Sequence, residues 1–431
     1  MKILLTGARI IDPVQNMDAN MDILLENGKI AKIGVDISKS AKSKDSEKIK
    51  IIELAGMIVV PGLIDMHTHL REPGLEYKET IASGTAAAVA GGFTSIACMP
   101  NTSPINDNRS ITEFIRRKAV EAALANVYPI GAISNGSAGS QLTEFWDMKE
   151  AGIIAISDDG KPVLDAALMR RAMEYAYSLG LPVISHCEDT NLSGNGLINE
   201  GYYSTILGLR GIPGIAEEAM IAREILIAEF TNTCVHIAHV STAGSVRLIR
   251  DAKKRGLKVT AETAPHYFTL TDEALQSYDT NFKVNPPLRS EEDVEAIKEG
   301  LSDGTLDVIA CDHAPHGRTD KEVEFEYAAN GISGLETSLA LSISLVQNKV
   351  LGWSELISKM STNPARILNL PKGTLEAGAE ADITVIDPQL KWIVDVQVFR
   401  SRGKNSPFHG RPLQGKAILT IVGGEIKYDG R

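Results

Sequence analysis

The chain has 431 residues, 43% of them hydrophobic and 23% charged, and a formal net charge of -11. Such a balance excludes a basic surface for nucleic acid or acidic membrane, since those partners demand clustered cations. The length suits one barrel with an added domain, and an anionic substrate would have to be drawn in by a few local cations.

Residues 1 to about 58 read as all-β. ILLTGARIID, DILLENGKIAKIG and KIIELAGMIVV are short β-prone runs separated by Gly, Asn and Asp. ENGKI is a hairpin signal, and SKSAKSKDSEKIK is expected to be an exposed turn. The opening MKILLTGARIIDP has too short an apolar run for a signal peptide. No stretch of about 18 uncharged apolar residues follows, so no transmembrane helix is expected.

From about 59 to 371 the character alternates. TSIACMP, VYPIGAIS, GIIAISDDG, PVISHCED, CVHIAHVS, KVTAETAPH and DVIACDHAPH read as strands, with helical stretches between them. LDAALMRRAMEYAYSLG places Leu164, Leu168, Ala172 and Ala176 on one helical face and stops at Gly180; AEEAMIAREILIAEF is a second helix. Strand-helix alternation over this length predicts a parallel α/β fold, either barrel or open sheet. The barrel is favoured because many strands end in a reactive residue: His67 and His69, Asn101, Asp158 and Asp159, His186, His239, His266 and Asp312. Barrels gather polar groups from many strand ends on one face, whereas open sheets gather ligands at one switch point. No nucleotide-binding glycine loop is present.

Residues 372–431 return to the opening character. ADITVIDP and KAILTIVGGEIKYDG, with a turn at the Gly pair, predict that both ends of the chain join in one small β-sandwich domain, 1–58 with 372–431. The four cysteines, Cys98, Cys187, Cys234 and Cys311, are far apart and form no CxxC pair. They read as buried free thiols, which suits a reducing cytosol.

The run GLIDMHTHLREPG carries the chemistry. Residues i and i+2 of a strand point the same way, so His67 and His69 project together and supply half of a metal site. His186, His239 and Asp312 also lie where apolar strands stop. A carboxylate of the pair Asp158 and Asp159 can bridge two cations while the other serves a turn; alternation does not choose between them. His236 lies deeper and with opposite parity to His239, so it reads as packed behind the site. His313 is expected to point away, His409 to be exposed, and His266 is left open.

In order, HTHLREPG, CMPNT, ISDDGKP, SHCED, HIAHVSTAGS, ETAPHY, KVNPPLR, CDHAPH and NGISGLET resemble the type I dihydroorotases of the amidohydrolase superfamily. The likeness continues through NPARILNL and GTLEAGAEADITVID. It implies a (β/α)8 TIM barrel over 59–371 and a pair of zinc ions, one on His67, His69 and Asp312, the other on His186 and His239, bridged by Asp159. It implies that Arg71, Asn101 and His316 grip a substrate carboxylate, and that His69, Asn285, Asn330 and Gly331 contact the rest of the molecule. It also implies Asp312 as proton carrier in the reversible conversion of N-carbamoyl-L-aspartate to (S)-dihydroorotate and water, the third step of de novo pyrimidine biosynthesis. Homodimerisation, a cytoplasmic location and association with aspartate carbamoyltransferase come with the family. Two rival readings are a hydantoinase- or allantoinase-like cyclic amidase and a non-catalytic partner of the transferase. The first commonly uses a carboxylated lysine in a Phe-Lys context, where this chain has Ile-Ser-Asp-Asp, with Lys161 past the strand end. The second predicts lost zinc ligands, and all four histidines are present. The polar segment HGRTDKEVEFEYAAN and the loop 190–215 are expected to border the substrate.

Overall fold

The computed structural model describes residues 2–37 and 49–431. The segment SKSAKSKDSEKIK lies outside the described residues except for Ile49 and Lys50, which open a strand and are not part of a turn.

Eight parallel strands build the centre: Leu63–Thr68, Phe93–Cys98, Asn126–Gly131, Ala155–Ile156, Ile184–Ser185, Val235–Ile237, Val259–Thr263 and Val308–Ile309. They are called the first to eighth barrel strands below. Consecutive strands pair in that order. Isolated bridges from Ile156 to Val183 and from Thr68 to His313 complete the ring. Each strand is followed by a helix: Ile81–Gly91, Arg109–Ala122, Phe145–Ala151, Ala166–Ser178, Ile215–Thr231, Ala243–Lys254, Glu291–Ser302 and Leu335–Gln347. The fold is therefore a (β/α)8 barrel.

Strands covered on both faces read as nearly continuous apolar runs, and alternate residues divide between two cores. Ala97, Ile130, Ala155, Ile184, Val308 and Ala310 fill the interior. Phe93, Ile96, Ile156, Val235, Ile237 and Ile309 face the surrounding helices. Each large side chain so buried contributes about 1.5–3 kcal/mol.

The helix Ala166–Ser178 buries Leu168, Met169, Ala172, Met173 and Ala176 on its inner face. Leu164 does not share that face. Asp165 caps the helix by accepting from the amides of Ala167 and Leu168, so Leu164 precedes it and is exposed. Helical spacing in the sequence extends one turn past the physical start, because the cap fixes where helical backbone begins.

Both ends of the chain enter one sheet, in the order Glu425–Asp429, Pro412–Val422, Ile383–Ile393, Ile58–Pro61, Lys2–Asp12, Met17–Glu26, Lys29–Gly34, with Ile49–Glu53 also paired to Lys2–Asp12. The turn between Met17–Glu26 and Lys29–Gly34 is Asn27-Gly28, with φ of 53° and 77°, the backbone a tight hairpin demands. The sheet has its own apolar core, including Ile3, Leu25, Val59, Ile383 and Leu419. It docks on the first barrel helix, where the Thr420 hydroxyl donates to Val89 O at 2.7 Å and that of Thr384 to Gly92 O at 2.6 Å. Among the described residues no helix is long and apolar enough to cross a membrane.

Candidate active site

Inward parity delivers the polar residues to one rim. In the second barrel strand Ala97 and Met99 fill the interior and Asn101 follows two residues on. In the fourth, Ala155 points inward and Asp159 keeps its phase. In the fifth, Ile184 leads to His186, and in the eighth Val308 and Ala310 lead to Asp312. One cavity of about 220 Å³ is lined by His69, Arg71, Asn101, Asp159, Gly160, His186, His239, Asn285, Asp312, Ala314, His316, Asn330 and Gly331. His67 lies beneath it, fully buried.

The two aspartates of ISDDG separate cleanly. Asp158 is spent on backbone: its Oδ1 accepts from the amides of Ile133 at 2.8 Å and Ser134 at 3.1 Å, and its other oxygen from the Ser134 hydroxyl. Asp159 Oδ1 faces His67 Nε2 at 3.4 Å, His239 Nε2 at 3.5 Å and His186 Nδ1 at 3.6 Å. Its Oδ2 lies 3.6 Å from His69 Nε2. Lys161 is exposed and does not line the cavity.

Two groups could each hold a metal ion: His67, Asp159 and His239, and His67, His69 and Asp312. His69 Nε2 lies 3.1 Å from Asp312 Oδ1, and His186 Nδ1 lies 2.8 Å from His239 Nε2. His67 Nε2 and Asp159 Oδ1 are buried with no hydrogen-bond partner among the described residues. Burial of such atoms is costly, and imidazole nitrogens with carboxylate oxygens are a donor set that divalent cations take. The residues present therefore fit a metal. Burial would raise the pKa of Asp159, but the charge of His67 and the nearness of His186 and His239 hold it well below the usual range.

The backbone at this rim is unusual. Arg71, His239 and Asp312 adopt positive φ of 61°, 34° and 46°. Non-glycine residues with such values are few, and they cluster at functional sites. His239 is out of phase with the inward-facing Ala238, yet the turned backbone there brings its imidazole to the cavity.

Several contributors escaped the reading of the sequence. Glu262, on the seventh barrel strand, accepts from His67 Nδ1 at 2.5 Å and lies 3.3 Å from His236 Nε2. It thereby leaves His67 Nε2 to face Asp159. Asp65 shares parity with His67 and accepts from the amides of His67 at 3.0 Å and Cys311 at 2.9 Å; burial pushes its pKa up to about 7. Glu188 accepts from His186 Nε2 at 3.1 Å and from Asn285 Nδ2 at 2.9 Å. Acidic residues inside the apolar runs LIDMH and VTAET were the available signal.

Arg71 is nearly buried, its Nε donating to Pro315 O at 3.3 Å and its fork 3.4 Å from His316 Nε2. His316 Nε2 donates to Asn330 O at 2.8 Å, and Lys78 donates to its Nδ1 at 3.2 Å. Burial, then the charges of Arg71 and Lys78, push the His316 pKa down to about 2, so the ring is neutral. Asn101 Oδ1 accepts from His69 Nδ1 at 2.8 Å. Gly331 gives its N–H to Lys283 O and its carbonyl to Asn405. Its contribution to the cavity is space: with φ at 138°, a Cβ would meet that of Ala314 at 2.5 Å.

His236 bonds Thr260 Oγ1 behind the site, His313 bonds Glu79 Oε2 and accepts from Gly334 N away from it, and His409 is exposed. His266 is buried with Nε2 unpartnered among the described residues. All four cysteines are free thiols, but Cys234 is only half-buried because it precedes its strand. The segments 190–215 and 316–330 share a small apolar cluster, Ile198 and Phe325 with Leu275, and are joined by Arg210 paired with Glu326 at 2.5 Å.

The chain is similar to known proteins along nearly its whole length. A family described as dihydro-orotase-like matches residues 56–245, and one described as the amidohydrolase family matches residues 216–428. A protein of Syntrophus aciditrophicus named dihydroorotase is 63% identical over 428 residues, covering 99% of each chain. One of the same name from Geotalea daltonii is 56% identical over 426 residues, again covering 99% of each. Among solved structures, an L-hydantoinase (dihydropyrimidinase) from Arthrobacter aurescens superposes with a TM-score of 0.87 at 26% identity, covering 99% of this chain and 96% of its own. A dihydropyrimidinase from Brevibacillus agri, at TM-score 0.86 and 23% identity, covering 100% of this chain and 95% of its own, shares the fold. With a metal-fitting cluster on one barrel rim and relatives of this identity across its length, the chain belongs to the dihydroorotase-like family of metal-dependent amidohydrolases.

Proposed function

We propose that the chain is a zinc-dependent cyclic amidohydrolase, a dihydroorotase, that interconverts N-carbamoyl-L-aspartate and (S)-dihydroorotate with loss or gain of water. One observation carries this: a buried arginine stands in the same small cavity as a cluster of imidazoles and carboxylates able to hold metal. A ring amide and a carboxylate on one small molecule would meet both at once.

Two zinc ions, held by His67, His69 and Asp312 and by His186 and His239 with Asp159 shared, would acidify water and draw electron density from the ring carbonyl. Arg71 offers a planar two-pronged donor to the substrate carboxylate, and Asn101 and neutral His316 flank it. Asn285 donates its amide N–H to Glu188, which leaves its carbonyl oxygen to accept a ring N–H. Asp312 takes the proton of the attacking water and returns it to the leaving ring nitrogen. Burial would raise its pKa, but the bond from His69 holds it below the usual range. In the direction of ring closure the same carboxylate first takes the proton from the attacking nitrogen and then gives it to the departing oxygen, which leaves as water.

Turnover of dihydroorotate and of hydantoin, measured side by side, tests the reading. Dihydroorotate is expected to be preferred by orders of magnitude, because hydantoin presents no carboxylate to Arg71; equal rates would favour the cyclic-amidase alternative. Arg71→Met is expected to raise the KM for dihydroorotate roughly 10²-fold, since bonds between charged partners contribute about 1.5–3 kcal/mol each. An unchanged KM would remove Arg71 from the substrate.

A cytoplasmic location, homodimerisation and docking to aspartate carbamoyltransferase belong to this reading through the family. Co-elution with the transferase tests the last of these.

A further inference from the structure

Asn405 stands 89 residues from His316 in sequence, in the segment between the short helical turn Val396–Val398 and the late strand Pro412–Val422. It is 5% exposed. Its Oδ1 accepts from the backbone N–H of His316 at 2.8 Å and from the Ser333 hydroxyl at 2.9 Å. Its Nδ2 donates to the carbonyls of Ala314 at 3.0 Å and Gly331 at 2.9 Å. Every direction the side chain offers is used. Three of the four partners, His316, Ala314 and Gly331, line the cavity.

The neighbouring chain is shaped to allow this. Gly403 has φ outside the left-handed region, so backbone conformation does not call for glycine there. Proximity does: an added Cβ would lie 2.5 Å from Pro315 Cβ and 2.9 Å from both Asn405 Oδ1 and His316 N. The segment is also tied down. Glu79 accepts from the Ser401 hydroxyl at 2.5 Å and from Arg402 N at 3.0 Å, and Glu336 accepts from Arg400 N at 2.7 Å.

We infer that Asn405 is a positioning residue for substrate: from the C-terminal segment, it fixes the wall formed by Ala314, His316 and Gly331 at the spacing the substrate carboxylate and ring require. The inference rests on the assignment of Arg71 and His316 to that carboxylate. Asn405 touches no proposed metal ligand, so its loss separates substrate binding from metal binding. Misplacing a binding group by about 1 Å costs up to 10²-fold.

The test compares Asn405→Asp and Gly403→Ala with Ser333→Ala in the full-length, metal-loaded chain. Asn405→Asp keeps both acceptor bonds but turns an oxygen toward two carbonyls. Gly403→Ala keeps every donor and acceptor and wedges the wall. Both are expected to raise the KM for dihydroorotate at least about tenfold, with kcat within about threefold and metal content unchanged. Ser333→Ala, which removes the hydroxyl bonded to Asn405 Oδ1 and Gly403 O but leaves the bonds of Asn405 to Ala314, His316 and Gly331 in place, should stay within about twofold of wild type. A KM within twofold of wild type in folded, metal-loaded Asn405→Asp and Gly403→Ala overturns the inference. So does loss of metal together with kcat at unchanged KM, and so does failure of both variants to fold, which would assign Asn405 to stability alone. A wild-type chain that does not turn over dihydroorotate overturns the functional reading and this inference together; an active wild type with unchanged variants overturns this one only.

Discussion

Asp312→Asn is expected to lower turnover of dihydroorotate by about 10²–10⁴-fold, the usual contribution of a positioned acid-base group, while leaving the fold intact. An amide of the same shape cannot take a proton from the attacking water or hand one to the ring nitrogen. The fold is spared for a specific reason. Residue 312 has φ of 46°, and Asn tolerates that left-handed backbone as readily as Asp, where a branched side chain would not. Thermal unfolding should therefore move little, and turnover should fall in both directions of the reaction, because the same carboxylate accepts and then returns a proton in each. Near wild-type turnover by a variant that still carries its full metal content would remove Asp312 from the chemistry.

Chelation is expected to abolish activity, and readdition of zinc to about two equivalents per chain to restore it. The structural basis is the charge balance of the rim. Asp159, Asp312 and Glu262 lie buried among imidazoles, with His67 Nε2 and Asp159 Oδ1 lacking hydrogen-bond partners among the described residues. Removing a cation from such a cluster returns its full desolvation cost. Because the ions bind the folded chain only, the stripped protein should also unfold at lower temperature; saturation at 1,000-fold above Kd corresponds to about 4 kcal/mol per site. A thoroughly demetallated chain that opens the ring at the original rate would end the assignment. Partial restoration at one equivalent would instead show that a single position suffices.

The rim and the wall differ in how they are built, and this bears on what each variant should do. Metal-fitting groups arrive on strand ends, one or two per strand, so their spacing is set by the barrel. The wall arrives on loops: Ala314 and His316 after the eighth strand, Asn330 and Gly331 farther along, and Asn285 after the seventh. Loops need tethers, and the structure supplies them as Asn405 and the buried lysines. Lys321 donates to Lys283 O at 3.3 Å and Ala329 O at 2.7 Å, and Lys283 to Phe325 O at 2.7 Å. Changes in the tethers should therefore appear in KM and changes at the rim in kcat.

The sequence by itself determined what depends on neighbours along the chain. Apolar runs marked the strands, alternation put His67 and His69 on one side, and Asn-Gly between two β-prone runs specified a hairpin. The strand-to-helix rhythm determined a parallel α/β fold, the reactive residues at many strand ends favoured the barrel, and the opening and closing runs determined that both ends share a sheet. Tertiary structure decided what depends on groups far away in the chain. Asp159 and not Asp158 faces the imidazoles because the amides of Ile133 and Ser134 capture Asp158. Leu164 lies outside its helix because Asp165 caps it. Glu262 fixes His67 from 195 residues away, and Asn405 holds the cavity wall from 74 to 91 residues away. Periodicity is a property of one backbone and can be read locally; a hydrogen bond needs two groups, and only the closed barrel says which two meet.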